Sequence, residues 1–127
     1  MGGMILGEGS TLLGALKGAN MNVTTDQAIA IPWAKYIVRR ITFVNPSTSL
    51  TLAAGGVYTA ASKGGTAIVA AAQVYSGLTG ATKFIDATLA ALLGTDALTV
   101  ATLYLSLTTA QGGAATADCY IFGDVLP

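Results

Sequence analysis

Apolar and polar side chains alternate with a period of two through most of this chain, the spacing of strands with one face in a core. Tyr36–Val44 shows it best. Strict alternation puts Ile37, Arg39, Ile41 and Phe43 on one face and Tyr36, Val38, Arg40, Thr42 and Val44 on the other, and Asn45-Pro46-Ser47 ends the run. Leu98–Leu107 sets Leu103, Leu105 and Leu107 against Thr102, Tyr104 and Ser106. After the turn Gln111-Gly112-Gly113, Ala117–Val125 sets Cys119, Ile121 and Val125 against Tyr120 and Phe122.

Other segments read less cleanly. Val23–Ile31 alternates imperfectly and stops at Pro32, which cannot donate to a ladder. Leu50–Leu52 reads as a short strand closed by Gly55-Gly56, and Val57–Ala61 as another, ended by a turn at Ser62-Lys63-Gly64-Gly65 where glycine supplies positive φ. In Thr66–Leu78 the alanines favour helix, while Ile68, Val69, Val74 and Tyr75 favour strand. The flanking glycines decide for a strand, with a bulge near Gln73. Phe84–Leu93 reads as a strand running into one helical turn before Gly94.

About eight short strands with Gly-rich turns predict an all-β fold, a single-domain β-sandwich or jelly roll over residues 21–127. Residues 1–20 are set apart as a Gly-rich N-terminal arm. Leu12, Leu13 and Leu16 make a weak helical stripe there, although Gly14 and Gly18 each cost a helix about 1 kcal/mol relative to Ala. The arm is either a frayed terminus or a segment laid on a neighbouring subunit, which would give Leu12, Leu13 and Leu16 their cover.

Composition sharpens the picture. Charged residues make up 9% of the 127, against roughly 25% in an ordinary domain. Six cations cancel six anions, and hydrophobic residues reach 53%. So little charge implies that sister molecules cover part of the surface, and Trp33, just after Pro32, is the side chain most suited to an interface. Zero net charge argues against nucleic acid, which needs a basic patch. The uncharged stretches are interrupted by Asn45-Pro46, Gln73, Gly77, Gln111 and Gly112, which argues against membrane-spanning helices. Residues 1–16 lack the basic start of a secretory leader and contain Glu8, and Leu6 stands where N-myristoylation needs Ser or Thr. Synthesis in the cytoplasm is expected.

Candidate chemistry is sparse. No histidine is present to act as a general base or to activate the single Cys119, which reads as a small buried hydrophobe. One thiol without imidazole cannot build a zinc site, and no calcium-loop motif occurs. Asp26, Asp86, Asp96, Asp118 and Asp124 show no catalytic spacing and suit turn bonding. Lys63-Gly64-Gly65-Thr66 lacks the order of a phosphate loop. No catalytic residue, metal or cofactor is expected. Tyrosines on strands suit ring burial with the hydroxyl at the rim, and a sugar-binding platform is the alternative.

The strings Asn22-Val23-Thr24-Thr25-Asp26-Gln27, Tyr36–Asn45, Gly55-Gly56-Val57-Tyr58-Thr59 and Tyr104–Thr109 resemble small structural proteins of tailed bacteriophages, over residues 20–127. The resemblance is to capsid decoration, or cement, proteins and related head and tail accessories. It implies a virion location, a β-sandwich that trimerises, a major capsid protein or other virion protein as partner, and no catalytic residues. The function expected is therefore non-enzymatic decoration of a phage head. The alternatives are a spike or fibre tip binding a host glycan and a tail or neck accessory. On the arm reading, Leu13→Asp is expected to abolish capsid attachment and leave the β fold intact.

Overall fold

The computed structural model describes residues 11–90 and 97–127. They form eight strands: β1 (Thr11–Asn20), β2 (Gln27–Ala30), β3 (Tyr36–Val44), β4 (Ala54–Ala60), β5 (Gly64–Val69), β6 (Phe84–Ala87), β7 (Thr102–Thr109) and β8 (Thr116–Val125). Two four-stranded antiparallel sheets, β1-β8-β3-β6 and β2-β7-β4-β5, make a β-sandwich, with no helix among the described residues. The pairings are nested: β1 with β8, β2 with β7, β3 with β6 and β4 with β5. The chain is thus one long hairpin wrapped on itself, with β3·β8 and β4·β7 joining the wrapped arms.

Period-two patterning drives the core. Ala117, Cys119 and Ile121 of β8 and Leu103, Leu105 and Leu107 of β7 point inward from opposite sheets and are buried. Between the sheets the Phe43 and Tyr75 rings meet edge to face, centroids 4.7 Å apart, a favoured aromatic geometry. The two fully buried tyrosines satisfy their hydroxyls, Tyr75 donating to the Gly55 carbonyl at 3.0 Å and Tyr36 to that of Val100 at 2.7 Å.

Three departures from the expected pattern have physical causes. In β3, Val38 pairs with Gly123 and Arg40 with Phe122, so Arg39 is the extra residue of a bulge. The bulge resets the alternation: Tyr36 and Val38 are buried together with Ile41 and Phe43, not opposite them, and both arginines are exposed. Leu50–Leu52 is not a strand, because the Gln111 side-chain carbonyl accepts from the Leu52 and Ala53 amides at 2.9 and 3.1 Å and takes the place of a ladder. After Val69 the chain leaves β5 and returns beside β4, where Gly55 donates to Gln73 and Tyr75 to Ala53. The helical turn expected before Gly94 lies outside the described residues.

The largest correction concerns β1. Thr11–Asn20 is neither helix nor arm but an edge strand of the sandwich, paired along β8. Register shifts between Leu12 and Gly14 and between Leu16 and Ala19 insert extra residues. The inward positions thereby fall at Leu13, Leu16 and Ala19, three residues apart, which imitates a helical stripe. Of the expected arm, residues 1–10 lie outside the described residues. Gly14 is required where β1 crosses β2: a Cβ there would sit 2.7 Å from both the Ala30 carbonyl oxygen and the Ile31 Cδ1. The opposite corner is joined by the Ala90 amide donating to Ile68 at 2.9 Å and by a bridge between Val69 and Leu89.

Leu13 is 1% exposed and belongs to the core. Leu13→Asp would therefore unfold the domain, not release an arm, since it buries an unpaired carboxylate. Leu13→Ala should cost about 2–5 kcal/mol in denaturant unfolding. Burial pushes the Cys119 thiol from 9.0 up to about 12, and the Tyr36 phenol from 10.0 up to about 12. Both acids stay neutral in the folded state and ionise first in the unfolded chain, so their contribution to stability is full below pH 9 and is lost as pH rises toward 12. The thermal midpoint should fall from about pH 9 upward, with Cys119→Ala giving a shallower decline between pH 9 and 10.

Candidate interaction surface

The outward positions of the β1-β8-β3-β6 sheet build one continuous face. Cross-strand pairs set Leu12 beside Phe122 and Phe122 beside Arg40. Tyr120 sits beside Thr42, and Thr42 beside Asp86. Asp118 sits beside Val44, and Val44 beside Phe84. Side chains two residues apart on β8 share this side, so Leu12, Phe122, Tyr120, Val44 and Phe84 trace a diagonal from one sheet edge to the other. Its ends are the most open: Leu12 is 47% and Phe84 60% exposed.

Charges flank the diagonal in compensated pairs. Arg40 lies with its guanidinium carbon 4.9 Å over the centre of the Phe122 ring and its Nε 3.9 Å from Asp86. The Thr42 hydroxyl donates to that same Asp86 carboxylate at 2.6 Å. The Arg39 Nε lies 2.9 Å from Asp124. On the other flank the Asn45 side-chain amide donates to Asp118 at 3.0 Å and the Gly18 amide does so at 2.7 Å. These bonds, Asn45 first, hold the Asp118 carboxyl below the usual carboxylate range, and Lys17 adds to the effect. Lys17, Arg39 and Arg40 thus answer Asp86, Asp118 and Asp124, half of the protein's twelve charged side chains, and their sum is zero.

A second polar feature lies across the other sheet. The β4–β5 turn puts Ser62 at φ 59° and Lys63 at φ 58°, with the Gly64 amide donating to Ala61, so the two central residues are not glycines. This left-handed pair costs roughly 1–2 kcal/mol per residue. Two bonds hold it: Ser62 donates its amide to Asp26 at 2.7 Å, and the Lys63 ammonium donates to the Thr24 carbonyl at 2.9 Å. They clip the turn to the segment before β2, although β7 separates β2 from β4. The Ser62 amide is the main cause of a lowered Asp26 pKa. The buried Ser106 hydroxyl is near enough to contribute, although no partner meets full hydrogen-bond geometry at its oxygen. Thr24, Thr25, Asp26, Ser62 and Lys63 line an open depression of about 400 Å³ whose charged groups are engaged in the clip.

The residues singled out in sequence separate on this framework. Leu13 is core, Leu16 packs against the core, and Leu12 alone of the three turns outward. Trp33 is 39% exposed but lies in the β2–β3 connection. Phe84, Phe122 and Tyr120 were not singled out for an interface. The β8 alternation already placed Tyr120 and Phe122 opposite the core side; Phe84 carried no such signal. Among the described residues no group of three or more Cys, Asp or Glu side chains is placed to hold a metal ion, and no helix is long and apolar enough to cross a membrane.

Comparison with protein-family models, with curated proteins and with solved structures finds no match. Function is therefore read from the surface itself.

Ser62→Asn should stabilise the turn by about 0.5–1 kcal/mol, because Asn tolerates the left-handed conformation and the amide bond to Asp26 is kept. Asp26→Ala should destabilise the protein, and hydrogen exchange at the Ser62 amide would report the opened clip.

Proposed function

We propose that this protein is a non-enzymatic structural component of a phage virion, which self-associates and decorates the head. The observation that carries the reading is the outer face of the β1-β8-β3-β6 sheet. It combines an exposed apolar diagonal with charges already neutralised within the face. A surface of this kind repels no neutral partner and loses apolar contact with water on docking, at about 25 cal/mol per Å² buried. The nested pairing of β1 to β8 supports a jelly-roll reading of the sandwich, an architecture used in viral capsid domains. The low charge content supports an exterior completed by other subunits.

The same face bears on the alternative of a glycan-binding tip, since Tyr120 and Phe122 lie near Asp86. Sugar stacking needs an open ring face, and Arg40 occupies that of Phe122. The Thr42–Asp86 bond also engages two groups that would otherwise meet sugar hydroxyls. Docking of protein is the better fit.

The test is native mass determination followed by addition of the purified protein to phage capsids stripped of accessory proteins. Self-association and saturable binding to heads are expected. A stable monomer at high concentration with no affinity for capsids would overturn the reading.

A further inference from the structure

We infer that the outer face of the β1-β8-β3-β6 sheet is a two-fold contact between two copies of this chain, an inference that rests on the self-association proposed above. The axis lies in the plane of the contact and crosses the apolar diagonal at its middle, near Tyr120. Rotation about it exchanges the ends of the diagonal. The Leu12–Phe122 end of one copy then meets the Val44–Phe84 end of the other.

Charge placement selects this axis. With the four strands in the order β1, β8, β3, β6, Arg40 stands on the third strand level with Phe122, and Asp86 stands on the fourth level with Tyr120. Rotation about an axis across the diagonal brings Arg40 of one copy over Asp86 of the second, and Asp86 over Arg40. It also brings Lys17 over Asp118. Rotation about the diagonal itself would superpose Arg40 on Lys17 and Asp86 on Asp118, like on like. The face is therefore its own complement about one axis, as an isologous contact requires.

Size agrees with a real but modest interface. Strands of ten, ten, nine and four residues, spaced by about 4.8 Å and rising about 3.3 Å per residue, present roughly 500 Å² per copy. The total of roughly 1,000 Å² is about the least that a specific interface buries. A self-complementary face closes on two copies and cannot by itself close a three-fold ring, so the trimer implied by the phage resemblance would need another surface.

The test exchanges charge between chains. Arg40→Asp alone places like charges at both ends of the contact, and so does Asp86→Arg alone. Mixed in equal amounts, the two variants restore both opposite-charge contacts, but only in a dimer holding one of each. Both side chains are about half exposed, and exposed ion pairs contribute little to folding, so each variant should keep the wild-type circular dichroism. Native mass spectrometry and sedimentation should show a wild-type dimer, at least tenfold weaker self-association for each variant, and heterodimers on mixing. Undiminished association of either single variant, or a mixture that stays monomeric, would overturn the two-fold contact. A wild-type trimer indifferent to both changes would sink it and leave self-association standing. A wild-type monomer at high concentration, including one retained on a glycan array, would sink both.

Discussion

The ladder on both sides of β8 is the interaction on which the rest of the structure depends. β8 pairs with β1 along one edge and with β3 along the other, so the last strand is inserted between the first and the third. Its inner residues include Cys119 and Ile121, which join the core. Its outer residues supply Tyr120 and Phe122 to the exposed diagonal. One strand thus fixes the position of the core and of the exposed apolar diagonal, because side chains alternate between the two sides of a pleated backbone.

Legibility in the sequence followed how faithfully each strand kept that alternation. β3 was readable to its limits, and the inward leucines of β7 and the Cys119–Ile121 face of β8 were readable as well. Bulges broke the code elsewhere. The extra Arg39 reversed the faces on half of β3, and two insertions in β1 made a strand look helical. Leu50–Leu52 misled for another reason: a side chain distant in sequence, Gln111, satisfies its backbone. Such a long-range bond leaves no local trace.

The candidate face was legible only in part. Leu12 was recognised as a residue needing cover, but together with Leu13 and Leu16, whose cover comes from the protein's own core. The outward side of β8 was visible, yet its continuity with Phe84 depends on β6 pairing with β3, a contact spanning forty or more residues. Pairing of charges on the face was equally hidden. Arg40 and Asp86 look unrelated in sequence, and only the sheet order makes them neighbours.

The two joined corners have a consequence for solubility. A nearly uncharged β protein is at risk of growing edge-to-edge fibres, because an unpaired strand margin is a template for the next molecule. Here β1 is kinked by two insertions and lies tight against β2 at Gly14, and the far margin is stitched by Ala90 and Leu89 to β5. Among the described residues, neither margin offers a long, straight row of free amides and carbonyls. Blunted margins supply the protection that electrostatic repulsion gives other proteins, and they leave the flat of the sheet as the surface through which the proposed association would run.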